Sequence, residues 1–143
     1  MRIAQVLDRK GRHVVTIGPD VSVAEALRVL EAADIGAVLV SVDGVHPEGI
    51  LSERDVARGM HRLGCEVRDL RVSVLMTPVS HTTNQDEMVD DVLAQMTEAR
   101  VRHVPVLEAG GLIGVVSIGD LVKARIDELE AARAELVEYI SAR

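Results

Sequence analysis

The sequence predicts an α+β fold: two β-α-β-β-α repeats related by a pseudo-two-fold axis, with their sheets packed together, followed by a long C-terminal helix. Three observations carry this. The stretch Gly49-Ile50-Leu51-Ser52-Glu53-Arg54-Asp55-Val56 has a second copy, Gly114-Val115-Val116-Ser117-Ile118-Gly119-Asp120-Leu121. The apolar stripe Val23, Ala26, Leu27 and Leu30 recurs 66 positions later as Val89, Val92, Leu93 and Met96. One copy of about 60 residues has only a thin core, so two copies gain by burying their sheets against each other. The repeats divide at 1–66 and 67–124, with a helical extension over 125–143.

The elements follow in order. Residues 3–9 form a short apolar–polar segment that Lys10-Gly11 ends. His13 to Ile17 reads as a strand, closed by Gly18-Pro19-Asp20. Ser22-Val23-Ala24-Glu25 is a capping box, with Ser taking an orphan helix amide and Glu reaching back to the Ser amide. The helix it opens ends near Asp34. Ala37-Val38-Leu39-Val40-Ser41 is a continuous apolar run, as expected of a strand covered on both faces. Asp43-Gly44 is a hairpin turn signal, and Gly49-Ile50-Leu51 is the returning strand. A second helix runs from about Glu53 to Leu63, where Gly64 stops it.

After a join over 62–73, Val74-Leu75-Met76 makes a short element and the order restarts. His81-Thr82-Thr83 is the strand candidate. The stripe from Val89 gives the helix, Val104-Pro105-Val106-Leu107 the buried strand, Gly110-Gly111 the turn, and Leu112 to Ser117 the return. The offset between copies falls to 65 at the Gly-x-x-Ser-x-x-Asp stretch, so the first hairpin is one residue longer. From Asp120 to Arg143 there is neither Gly nor Pro. Val122, Leu129 and Leu136 recur every seven residues. Two readings stand for this tail: a helix packed on its own domain, or one that pairs with a second subunit.

Composition excludes several function classes. With 48% apolar and 27% charged residues the chain is globular, and a formal charge of −7 opposes wrapping a nucleic-acid backbone. The single cysteine, Cys65, supplies neither a disulfide nor a thiolate metal site. No two of the five histidines stand at metal-ligand spacing. No nucleophile-elbow phrase occurs, so hydrolase chemistry is not expected. No apolar run approaches the length of a membrane span, and a cytoplasmic location is the default. Tyr139 is the one aromatic residue. A planar ligand would therefore lie between aliphatic side chains and hydrogen-bond to backbone.

On spacing alone, Ser-x-x-Asp at a helix start is a helix cap. The wider pattern says more. Met76-Thr77-Pro78, Arg102-His103-Val104-Pro105-Val106 and the two Gly-x-x-Ser-x-x-Asp stretches, in this order, resemble the pair of cystathionine-β-synthase-type (CBS) domains known as a Bateman module. The resemblance covers residues 1–124. It implies a non-catalytic regulatory module that binds an adenosine-containing ligand (AMP, ADP, ATP, NAD(H) or S-adenosylmethionine) in clefts between the repeats. It also implies pairing into a homodimer. No cofactor is required; an adenine nucleotide acts as regulatory ligand for a protein target the sequence does not name.

Carried onto this sequence, the resemblance makes Asp55 and Asp120 ribose-binding candidates, with Ser52 and Ser117 beside the sugar or phosphate. A carboxylate that accepts from a ribose diol is chemically sound. Arg102, His103, Arg54 and Lys10 are phosphate candidates, Arg being suited to a two-pronged grip. One cleft is expected to combine Thr16, Ile17, Pro19 and the backbone of Ile35, Gly36, Ala37 and Val38 with Ser117 and Asp120. The other is expected to combine Thr82, Thr83, Arg102, His103 and Val104, next to Pro105, with Ser52 and Asp55. Asp120, with Arg102 and His103 in its own repeat, is expected to hold the tighter site. The competing function is a ligand-free dimerisation module acting through protein–protein contacts.

Overall fold

Where the hydrophobic period changes from two to 3.6, strands give way to helices as the pattern predicts. The computed structural model describes all 143 residues. The order is α1 (Ile3–Lys10), β1 (Thr16–Ile17), α2 (Val23–Ala33), β2 (Ala37–Val40), β3 (Gly49–Ser52), α3 (Glu53–Leu63), a 3-10 turn (Gly64–Asp69) and α4 (Val72–Leu75). Then follow β4 (Thr77–Pro78), β5 (Thr83–Asn84), α5 (Val89–Ala99), β6 (His103–Glu108), β7 (Gly111–Ser117) and α6 (Ile118–Ser141). The sheets run β1-β2-β3-β4 and β5-β6-β7 and pack together. In each, a parallel pair leads into an antiparallel hairpin: Thr16 faces Leu39 as Thr83 faces Val106.

The symmetry reaches the helix ends. Both α2 and α5 stop at a residue in the left-handed conformation, Asp34 (φ 52°) and Arg100 (φ 55°). The following amide then turns back onto the last turn: Ile35 N donates to Leu30 O at 3.1 Å and Val101 N to Met96 O at 3.0 Å. This is the Schellman geometry, here built without glycine.

Four local expectations change. The first strand is shorter than His13–Ile17, because β2 offers β1 only Leu39 and Val40 as partners. The Ser22 cap is half of a box: Ser22 Oγ accepts from Glu25 N at 3.1 Å, but the Glu25 carboxylate accepts from Arg28 instead of reaching back. Asp43-Gly44 is not a two-residue hairpin turn. It lies in an eight-residue loop, 41–48, where Asp43 Oδ1 accepts from the amides of Val45 and His46, both at 2.8 Å. In the second hairpin the turn is Ala109-Gly110, both at positive φ, and Gly111 already belongs to β7. The longer first loop has a tertiary role: Val45 O accepts from Leu112 N at 2.9 Å, joining the two hairpins.

The cores do not respect the order of the chain. One buried cluster contains Val89, Val92, Met96, Val104, Val106, Val116 and Leu121, yet also Ile3, Val6 and Leu7 from α1. The other contains Val23, Leu30, Val38, Val40 and Leu51 together with Val67, from the 3-10 turn, and Val72 and Leu75, from α4. Each sheet is thus covered partly by a segment that lies outside its own strand–helix run. Glycine recurs where these segments press in. A Cβ on Gly114 would meet Leu7 Cδ2 at 2.7 Å, and one on Gly59 would meet Leu75 Cδ2 at 2.8 Å.

Helix α6 divides at its middle. Leu121 and Ala124 are buried, so its first turns pack on their own domain. Leu129, Leu136, Val137 and Ile140 are more than half exposed, and every residue from 129 onward is exposed.

Candidate ligand cleft

The two Ser-x-x-Asp stretches are complete helix caps with matching geometry. Asp55 N donates to Ser52 Oγ at 3.1 Å and Ser52 N to Asp55 Oδ2 at 2.9 Å. Asp120 N donates to Ser117 Oγ at 3.1 Å and Ser117 N to Asp120 Oδ2 at 2.9 Å. In both, the backbone bonds use only Oδ2, so a carboxylate can hold the helix start and still present an oxygen outward.

What surrounds the carboxylates differs. Asp55 sits in a cleft of about 750 Å³ whose walls come from both repeats. Gly36, Ser52, Glu53, Arg54 and Arg58 come from the first repeat, and Arg100, Arg102 and His103 from the second. Thr77, Pro78, Ser80 and His81 close the end. Strand β4 puts the last group there, because Pro78 pairs with Gly49 and Thr77 with Ile50 on the edge of the first sheet. The outward oxygen, Asp55 Oδ1, accepts one long hydrogen bond, 3.3 Å, from Thr77 Oγ1.

Asp120 has a cation on the oxygen that caps its helix, and its Oδ1 accepts no hydrogen bond. Lys10 Nζ, from the end of α1, donates to Asp120 Oδ2 at 2.6 Å and to Val115 O at 2.9 Å. Burial alone would raise the Asp120 pKa. The hydrogen bonds from Lys10 and the Ser117 amide, with the Lys10 charge, outweigh it and hold the carboxyl below its ordinary value. His103 lies between the two sites, paired with Ser117 across the β6–β7 ladder and lining the Asp55 cleft. Burial lowers its pKa, Lys10 and Arg102 lower it further, and the two aspartates pull the other way.

Of the predicted residues, Ser52, Arg54, Asp55, Arg102, His103 and Gly36 come together around one cleft. Gly36 was expected beside Asp120, and it faces the Asp55 cleft instead. Lys10 meets Asp120, as a partner for its charge. Ile35 and Gly36 also border a shallow groove with Glu53. Val38, Val104 and Pro105 are buried, as are Ile17 and Thr83, so their side chains are packing groups. Thr82 is exposed, and neither it nor Thr83 lines the Asp55 cleft; Ser80 and His81 stand there. Thr16, Pro19 and Ala37 are not among its lining residues either. Asp120 was expected to hold the tighter site, yet Arg102 and His103 line the cleft of Asp55. Sequence reasoning missed Arg58, Arg100 and Thr77. The signals are in the sequence: Arg58 stands one helical turn after Arg54, and Thr77-Pro78 belongs to a phrase that carries the family resemblance.

No group of side chains able to hold a metal ion is present, and no helix is long and apolar enough to cross a membrane. The model of the CBS domain matches residues 5–62 and again residues 67–127. The chain is 30% identical to the mitochondrial CBS domain-containing protein CBSX3 of Arabidopsis thaliana, over 96% of this chain and 71% of that protein. A crystal structure of a CBS-domain containing protein from Agrobacterium tumefaciens superposes with a TM-score of 0.82 at 46% identity, covering 87% of this chain and 99% of that one. A CBS domain protein from Pyrobaculum aerophilum, complexed with AMP, superposes with a TM-score of 0.78 at 25% identity, covering 93% and 99%.

Proposed function

The chain belongs to the CBS-domain family of non-catalytic regulatory modules, and we propose that it senses an adenosine-containing phosphate ligand bound in the Asp55 cleft. The observation that carries this is a carboxylate with one oxygen barely satisfied, facing a cleft lined by arginines. Asp55 Oδ1 accepts from a ribose hydroxyl. Ser52 and the helix amides beside it stand near the sugar–phosphate junction, where the start of α3 favours negative charge. Arg54 and Arg102 take the phosphate. With no Phe, Tyr or Trp in the cleft, the base lies against Ile50, Val79 and Val101 and hydrogen-bonds to backbone. The AMP bound by the Pyrobaculum relative has this chemistry. S-Adenosylmethionine carries a positive sulfonium, which the arginines repel, so phosphate-bearing ligands are favoured over it.

Calorimetry on the intact chain tests the reading. AMP is expected to bind and S-adenosylmethionine to bind at least about tenfold more weakly. Equal affinity for the two would remove the arginines from the ligand, and no binding by either would remove the proposal. A second reading, assembly through protein contacts alone, draws on the exposed apolar side chains of α6. A dimer in sedimentation whose state and stability ignore nucleotide would favour it.

A further inference from the structure

The Asp55 cleft does not end at the first phosphate position. It opens into a second cleft of about 760 Å³ along α3, and the two share Arg54, Asp55, Arg58, Thr77 and Pro78. The second cleft adds His61 and Arg62. Arg54, Arg58 and Arg62 stand at i, i+4 and i+8, so they form one stripe along the helix, with steps of about 6 Å and about 12 Å from end to end. Arg100 and Arg102 face its beginning from the other repeat.

Three features set this stripe apart from an ordinary solvated helix face. First, the joined clefts carry five arginines against two carboxylates, Glu53 and Asp55, on a chain whose net charge is −7. Second, none of the five is paired, since every ion pair in the chain uses other basic groups. Third, two of them stand where a basic residue is unfavourable. Arg54 lies in the first turn of α3, where the helix dipole disfavours positive charge. Arg100 holds a left-handed backbone conformation that Gly or Asn takes at lower cost. Like charges gathered at such positions repel one another unless a polyanion lies between them.

We infer that the stripe is a polyphosphate subsite: the ligand of this cleft carries a chain of phosphates, a nucleoside di- or triphosphate in preference to a monophosphate. This rests on the nucleotide reading given above. The phosphate next to the ribose meets Arg54 and Arg102 at the mouth of α3. The later phosphates run along the stripe to Arg58 and Arg62, which a single phosphate held at the mouth leaves unused. A nucleoside polyphosphate and free inorganic polyphosphate share this chemistry, and the adenosine end of the cleft separates them.

The test is calorimetry without divalent cation on the wild type and on the double variant Arg58→Gln, Arg62→Gln, using AMP, ADP, ATP, inorganic tripolyphosphate and a single-stranded oligonucleotide. Both substitutions are on exposed helix positions, and circular dichroism confirms folding. In the wild type, affinity is expected to rise from AMP through ADP to ATP by about tenfold or more in all, as charge-assisted hydrogen bonds are added. In the double variant the rise from AMP to ATP is expected to collapse to about twofold or less, ATP losing more affinity than AMP. A wild type that binds AMP as tightly as ATP overturns the subsite and leaves the nucleotide reading intact. So does a double variant that keeps the full rise. Tripolyphosphate binding as tightly as ATP would support the stripe and remove the adenosine. Oligonucleotide binding tighter than ATP would overturn the subsite in favour of a nucleic-acid surface. No binding of AMP or ATP overturns both.

Discussion

Asp55 and Asp120 hold their helices by the same two bonds at the same lengths, 2.9 and 3.1 Å, and yet they are different chemical objects. Asp120 is held by a lysine at 2.6 Å that comes from the end of α1. Asp55 looks into a cleft in which the positive groups are arginines, none of them bonded to it. Duplication supplied two equal carboxylates. One has an internal cation, Lys10, and the other lines a cleft between the repeats. A motif that caps a helix is therefore compatible with a binding site but does not make one. What stands beside the carboxylate differs: a lysine on the capping oxygen of Asp120, an arginine-lined cleft at Asp55.

The comparison depends on α1, whose packing brings Lys10 to Asp120, and the largest expected effect strikes there. Leu7 is fully buried against Gly114 in the second core. Leu7→Ala is expected to lower unfolding free energy by about 2–5 kcal/mol through the cavity left behind. Denaturant unfolding measures it, and a loss below about 0.5 kcal/mol would mean that α1 does not belong to that core.

The next effect separates the two carboxylates directly. Asp55→Asn keeps an oxygen for the cap but removes the charge, and is expected to cost about 1–2 kcal/mol of nucleotide affinity. Asp120→Asn is expected to change affinity by less than about 0.5 kcal/mol. Titration of both variants with ATP sharpens the asymmetry; a larger loss at Asp120 restores the order the sequence suggested.

Lys10→Met tests whether the lysine is what closes the Asp120 site. The pair is partly exposed, so its removal is expected to cost only about 0–1 kcal/mol of stability. Freed, the second carboxylate is expected to accept a nucleotide, and calorimetric stoichiometry rises from one to two per chain. Unchanged stoichiometry would mean that something other than Lys10 separates the sites.

The smallest effect concerns His103, which lies between them. Its folded-state pKa is depressed, so the unfolded chain takes up the proton first as pH falls. Unliganded stability should therefore decline below pH about 6.5, the unfolded-state value, and the penalty should be absent above it. His103→Gln is expected to flatten that decline. An equal slope in the variant, followed by thermal unfolding between pH 5 and 8, would assign it to other groups.

Much of the fold was legible because its signals are local. Apolar spacing located α2 and α5, the Ser-x-x-Asp stretches opened α3 and α6, and Gly64 closed α3. Where a local signal competed with a neighbour, the reading slipped. Glu25 had the capping-box spacing, but Arg28 one turn later took its carboxylate. Asp43-Gly44 had a tight-turn composition, but the Asp43 side chain organised a wider loop around it. The candidate site was legible by residue type and less so by grouping. Arg102 and His103 line the Asp55 cleft, where they were expected, although their place in the second repeat had weighted the Asp120 site.

The sequence by itself therefore determined the duplicated unit, the helix caps and the carboxylates they carry, since each depends on residues within a few positions of one another. Only the tertiary structure decided which carboxylate meets a lysine and which lines a cleft between the repeats. Lys10 lies 110 positions from Asp120 and Arg102 nearly fifty from Asp55. Those meetings follow from α1 crossing to the second core and from two sheets packing so that the entry to β6 faces the start of α3. Contacts of that range are set by how buried surfaces fit, which no local pattern of residues records.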